Sequence, residues 1–132
     1  MKTSHGPAYV LSLALITLAL PATAADRMRP GQWVGSTVVG AKTYPSSSCV
    51  SQADADAMNG DAKSVQVLLQ KTIPPEICKL SDVKVSGGEV VYTATCRGQP
   101  GKVVTTTYHG DSSDGTDSAG GKTTGKLVGA CK

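Results

Sequence analysis

The chain has 132 residues, a formal net charge of +3 and 4% aromatic residues, with no Phe and a single Trp, Trp33. That length suits one domain of ordinary size. Its 13 basic and 10 acidic side chains are scattered, with no basic stripe interleaved with aromatics, which excludes a nucleic-acid surface.

The first elements in chain order are those of an export leader. Met1 to Gly6 carries Lys2 and His5, an apolar run follows from Ala8 to Leu20, and Pro21-Ala22-Thr23-Ala24-Ala25 supplies small residues at a peptidase site. The apolar run is about a dozen residues, too short for a ~30 Å hydrocarbon core, and Asp26-Arg27-Met28-Arg29 follows it at once. Residues 1–25 therefore read as a cleaved signal peptide. Residues 26–132 read as one disulfide-bonded β domain, periplasmic or secreted, with no transmembrane segment after cleavage.

Pro30-Gly31 opens that domain as a turn pair, and Gln32 to Val39 reads as a strand in which Gly35 marks a bulge. Gly40 to Ser48, with Pro45 and three serines, reads as a loop. A short helix is expected from Ser51 to Met58, capped by Ser51 with Asp54 reaching back, and ended by Asn59-Gly60 through a residue tolerant of positive φ. Asp61 to Lys71 is open between helix and strand. Val65, Leu68 and Leu69 have helical spacing, while Val65-Gln66-Val67-Leu68 also alternates. Pro74-Pro75 ends it either way.

Beyond Cys78 the pattern is β. Leu80 to Val85 alternates, Ser86-Gly87-Gly88 is a hairpin turn, Val90 to Cys96 returns, and Lys102 to Tyr108 is a further strand. Asp111 to Gly121 is rich in Gly and lacks large apolar residues, so it reads as a loop or mobile hairpin tip. Thr123 to Val128 supplies a last strand that delivers Cys131. Valine outnumbers leucine and isoleucine combined after the leader, and this β-branched bias agrees with sheet. The expected fold is mainly β. It is a single antiparallel meander, strongly curved or a small open barrel, with one or two short helices inserted after the first strand.

Four cysteines in a small exported domain read as two disulfides. Of three pairings, Cys78 with Cys96 flanks a strand–turn–strand, and Cys49 with Cys131 ties the C-terminus to the body. Closing about 19 residues contributes roughly 3 kcal/mol and closing about 83 roughly 4.5 kcal/mol in the loop-entropy picture. No two cysteines have zinc-site spacing and His109 is the one histidine past the leader, so no metal or other cofactor is expected.

Other constellations have plain explanations. Gly121-Lys122-Thr123 lacks the upstream glycine of a phosphate loop, since Thr116 holds that place. Asp111, Asp114 and Asp117 are spaced by three, which is not the spacing of an EF-hand calcium loop. Trp33 reads as a packing anchor in an aromatic-poor core. His109 and Asp111, two apart on a strand, are the one acid–base pair, but no nucleophile turn accompanies them.

Taken together, Pro30-Gly31-Gln32-Trp33, Cys49-Val50-Ser51, Cys78, Cys96, Tyr108-His109-Gly110-Asp111 and Gly129-Ala130-Cys131 resemble domain-of-unknown-function family 3617, small exported bacterial proteins. The resemblance spans nearly all of residues 26–132 and implies an exported, disulfide-bonded β-rich domain. It carries over no catalytic residues. The chain departs from the pattern at Asp111 to Gly121, which lacks the expected aromatic. The functional expectation is a non-enzymatic module that binds a small apolar ligand or an envelope protein. The alternative is a hydrolase-type enzyme using His109 and Asp111.

Overall fold

The computed structural model describes residues 26–132; the leader expected at 1–25 lies outside them. Strand β1 (Gly31–Val39) turns through Gly40-Ala41 into β2 (Lys42–Val50), with Gly40 at φ +60° serving the two-residue hairpin. The expected loop at Gly40 to Ser48 is therefore mostly strand. Pro45 is tolerated because β2 is an edge strand and its missing N–H costs no ladder bond there.

Helices α1 (Gln52–Met58) and α2 (Ala62–Thr72) follow β2 rather than the first strand, which corrects the expected insertion point. Ser51 caps α1 by accepting the Asp54 N–H at 3.1 Å. The helix does not end on a left-handed residue, since Asn59 has φ −84°. Instead the Asn59 amide accepts from Met28 N and donates to Met28 O, both at 2.9 Å, which draws the chain away. Asp61 caps α2 by accepting the Ser64 N–H at 2.8 Å, and the ambiguous segment is helical.

Five strands complete the chain: β3 (Cys78–Ser86), β4 (Glu89–Cys96), β5 (Lys102–Tyr108), β6 (Ser112–Asp117) and β7 (Lys122–Gly129). Strand β6 lies in the middle of the segment expected as a loop. It is also the middle strand of the sheet, bonded to β5 on one side and β7 on the other. A strand with both ladders filled needs no large side chain to be held, so tertiary pairing overrides its poor β propensity. At Gly115 a Cβ would stand 2.9 Å from Thr106 Oγ1, so the strands close tightly there.

All seven strands of the described residues form one antiparallel sheet in the order β2-β1-β7-β6-β5-β4-β3, and it does not close into a barrel. The β3 edge is occupied by α2. Gln70 donates to Cys78 O at 3.1 Å and accepts the Leu80 N–H at 3.2 Å, as a neighbouring strand would. The β2 edge has no such cover from the described elements.

The core lies under the helices at the β3–β4 end. Met58, Val65 and Val90 are buried together, with Leu68, Leu69, Val83, Val85, Tyr92 and Tyr108 packed against them. Leu80 and Ala94, register partners on β3 and β4, are buried as well. Of the other strands, only β1 buries a large side chain, Trp33. Its indole donates to Arg29 O at 2.9 Å.

The segment Asp26 to Pro30 straps the two ends together. Arg27, 5% exposed, donates to Gly87 O at 2.7 Å, Met58 O at 2.8 Å and Gly60 O at 2.9 Å. It thus satisfies carbonyls left free where α1 ends and where β3 turns into β4. The Arg29 N–H donates to Gly110 O and the Gly110 N–H to Arg27 O, both at 3.0 Å. Two disulfides add to this: Cys49 is bonded to Cys131, and Cys78 to its register partner Cys96.

Candidate functional site

The face of the sheet that bears the helices is only half covered by them, and three neighbouring hollows that share lining residues lie along the boundary and between the helices; together they are called the furrow. Register sets its floor. Residues two apart share a face, so Trp33 and Gly35 of β1 lie beside Ser48 and Ser46 of β2 and beside Leu127 and Gly125 of β7. Gly35 and Gly125 are partners and carry no side chain. Ser113 stands opposite Gly125 on the other side. A shallow hollow of about 160 Å³ results, walled by Trp33 and Tyr108. Burial pushes the Tyr108 phenol up to about 12, with the neighbouring Tyr92 adding to it, so it is neutral at any physiological pH.

Met28, Ser48 and Val50 are shared with a second hollow of about 200 Å³, whose lining includes Met58, Leu68 and Leu69. Leu68 and Asp54 are shared in turn with a third, of about 400 Å³, between α1 and α2. Its floor is Ala57, Val67 and Leu68, and its rim holds Lys63 and Lys71. Val67 is 64% exposed, an unusual position for a valine on a helix that packs against a sheet. Asp54 lies 3.5 Å from Lys71, and its carboxyl is held below the usual range chiefly by Ser51. The volume of the third hollow alone falls in the ~300–1,000 Å³ range of small-molecule sites. The sequence did not single out this furrow, because its parts come from β1, β2, β7 and both helices. Its lining includes Asp54, Leu68 and Leu69, which the sequence marks as a helix cap and helix spacing and not as parts of a site.

The acid–base pair weighed from the sequence sits elsewhere. His109 is exposed, and its Nε2 lies 3.0 Å from Asp114 Oδ1, not against Asp111. The reason is the turn at Gly110, with φ +87°, after which β6 runs back and places Asp114 beside His109. Among the described residues no hydroxyl is hydrogen-bonded to the His109 ring. Asp117 is likewise engaged. Burial raises its carboxyl pKa, but N–H groups of Gly121 and Ala119 and the Lys102 ammonium at 3.1 Å outweigh this and hold it below its ordinary value. The three aspartates 111, 114 and 117 do not converge, and no cluster of three metal-ligating side chains occurs among the described residues. Lys122 and Thr123 lie at the start of β7, not before a helix.

The family model for proteins of unknown function DUF3617 matches residues 28–131. The chain belongs to the DUF3617 family. No curated protein and no solved structure matches it. The DUF3617 match begins at Met28 and ends at Cys131, so it includes every residue that lines the furrow and both disulfides. Among the described residues no helix is long and apolar enough to cross a membrane. Two disulfides are compatible with an exported protein.

Proposed function

We propose that this protein is exported through a leader at residues 1–25, loses it to leave residues 26–132, and works as a binding module rather than an enzyme. Its ligand is a small apolar molecule seated in the furrow. One observation carries this reading: Met28, Val50, Leu68 and Leu69 line an open apolar stretch between the helix pair and the uncovered half of the sheet. Burying such a stretch is favourable by roughly 25 cal/mol per Å² of apolar surface removed from water.

The furrow lining contains neither histidine nor a free thiol, and the hydroxyls of Thr72, Thr123 and Thr124 pair with a carbonyl or another hydroxyl, which supports binding over nucleophilic catalysis. Native mass spectrometry of protein purified from its own compartment tests the reading. A retained small molecule, lost in the Val50→Asp variant while the circular dichroism spectrum is kept, is the expected result. A bound protein in place of a small molecule would replace this reading with that of a partner-binding module. Turnover of ester or glycoside substrates abolished by His109→Ala would replace it with the enzymatic one.

A further inference from the structure

The furrow changes chemistry along its length. At the helix end, Lys63, Val67 and Lys71 recur at four-residue spacing and so form one stripe of α2, two ammonium groups flanking an exposed valine. Two carboxylates lie nearby, Asp54 and Asp61. Each is committed to a helix start, Asp54 through Ser51 and Asp61 through the Ser64 N–H. Lys71 still pairs with Asp54, while Lys63 is in none of the ion pairs among the described residues. The middle of the furrow is apolar, with Asp54 at its rim its one charged side chain. The sheet end, over Gly35 and Gly125, is neutral, with serine and threonine hydroxyls beside it.

We infer that the ligand is a single-chain amphiphile with a carboxylate head. Lys63 and Lys71 receive the head, and the hydrocarbon chain runs over Leu68 and Leu69 toward Met28 and Val50. This deepens the binding reading and rests on it. A wholly apolar molecule would leave Lys63 without an ion pair, and a free anion would leave the apolar middle wet. A bilayer surface fits poorly, because the apolar stretch of Leu68, Leu69, Met28 and Val50 is half-buried between the helices and the sheet. Each exposed lysine acts through a solvent-screened pair, so the head contributes modestly and the chain supplies most of the affinity.

The test compares sodium dodecanoate with 1-dodecanol, both below aggregation, by calorimetry on the exported protein. Dodecanoate is expected to bind one to one and about five- to tenfold more tightly than the alcohol. The double variant Lys63→Gln, Lys71→Gln should bind the two equally, while Lys63→Arg, Lys71→Arg should keep the preference. Equal binding of acid and alcohol to the unaltered protein would overturn the head-group assignment and leave the binding reading standing. So would a preference that survives in the glutamine variant. Sedimentation with phosphatidylglycerol vesicles in the absence of dodecanoate binding would also overturn it, in favour of a lipid surface. Binding of neither probe, with no small molecule retained in native mass spectra, would remove the binding reading itself.

Discussion

The two ends of the sheet obey one alternation rule and arrive at different surfaces. On β3 and β4 the residues facing the helices include Leu80, Val85, Val90, Tyr92 and Ala94, of which Leu80, Val90 and Ala94 are buried. On β1, β2 and β7 the same face carries Gly35, Ser46, Ser48 and Gly125 beside Trp33, and β2 is exposed from Lys42 to Cys49. The first end is held by apolar burial. The second is held by backbone ladders and a disulfide. The lesson is that a sheet end stabilised from its margins can leave one face bare.

That contrast can be attacked most strongly at its margins. Removing Cys49–Cys131 by paired serine substitution should cost about 4 kcal/mol in urea unfolding, because the bridge closes the longer loop and fastens the uncovered end. Losing Cys78–Cys96 should cost less; a larger loss there would show that the covered end also depends on its bridge. Met58→Ala should cost about 3 kcal/mol by emptying space in the helix-covered core, whereas Ser46→Ala on the open face should leave the urea midpoint unchanged. Arg27→Met should cost about 2 kcal/mol, since three carbonyls then lose their donor.

The smallest effect depends on pH. Asp117 has its carboxyl held below its ordinary value, so its contribution is present above pH ~4 and is lost as pH falls through the lower native value. Asp117→Asn should therefore flatten the acid limb of a stability–pH curve, and change nothing at the covered end.

Much of the covered end was legible beforehand. The alternation from Leu80 to Val85, the turn at Gly87-Gly88 and the return through Val90 to Cys96 follow a period-2 pattern that needs no knowledge of partners. Ser51 announced α1 because a cap is a local interaction. The uncovered end was not legible for the opposite reason. Serines and Pro45 on β2, and Gly115 on β6, are strand residues only because β1, β5 and β7 lie alongside. Arg27 stood in a charged run with nothing to show that it is buried, since its three acceptors lie 31 to 60 residues away. The furrow was invisible for the same reason, being assembled from distant segments. Its lysines at 63 and 71 resembled ordinary solvated charges until the hollow between the helices placed an apolar floor between them.

Strand β7 joins the first hairpin to the rest of the sheet. It pairs with β1 on one side and β6 on the other, and β1–β2 touches no other strand. A polypeptide delivered from its N-terminus therefore presents its first hairpin early and completes it last, when Lys122 to Gly129 arrives. Until then Trp33 has no Leu127 or Gly125 to lie against, and a sequence separation of nearly the whole domain must be closed. Loss of the final dozen residues would thus not trim a tail; it would split the sheet in two. Throughout synthesis the first hairpin keeps one unpaired edge, on β1, until its last partner strand is made.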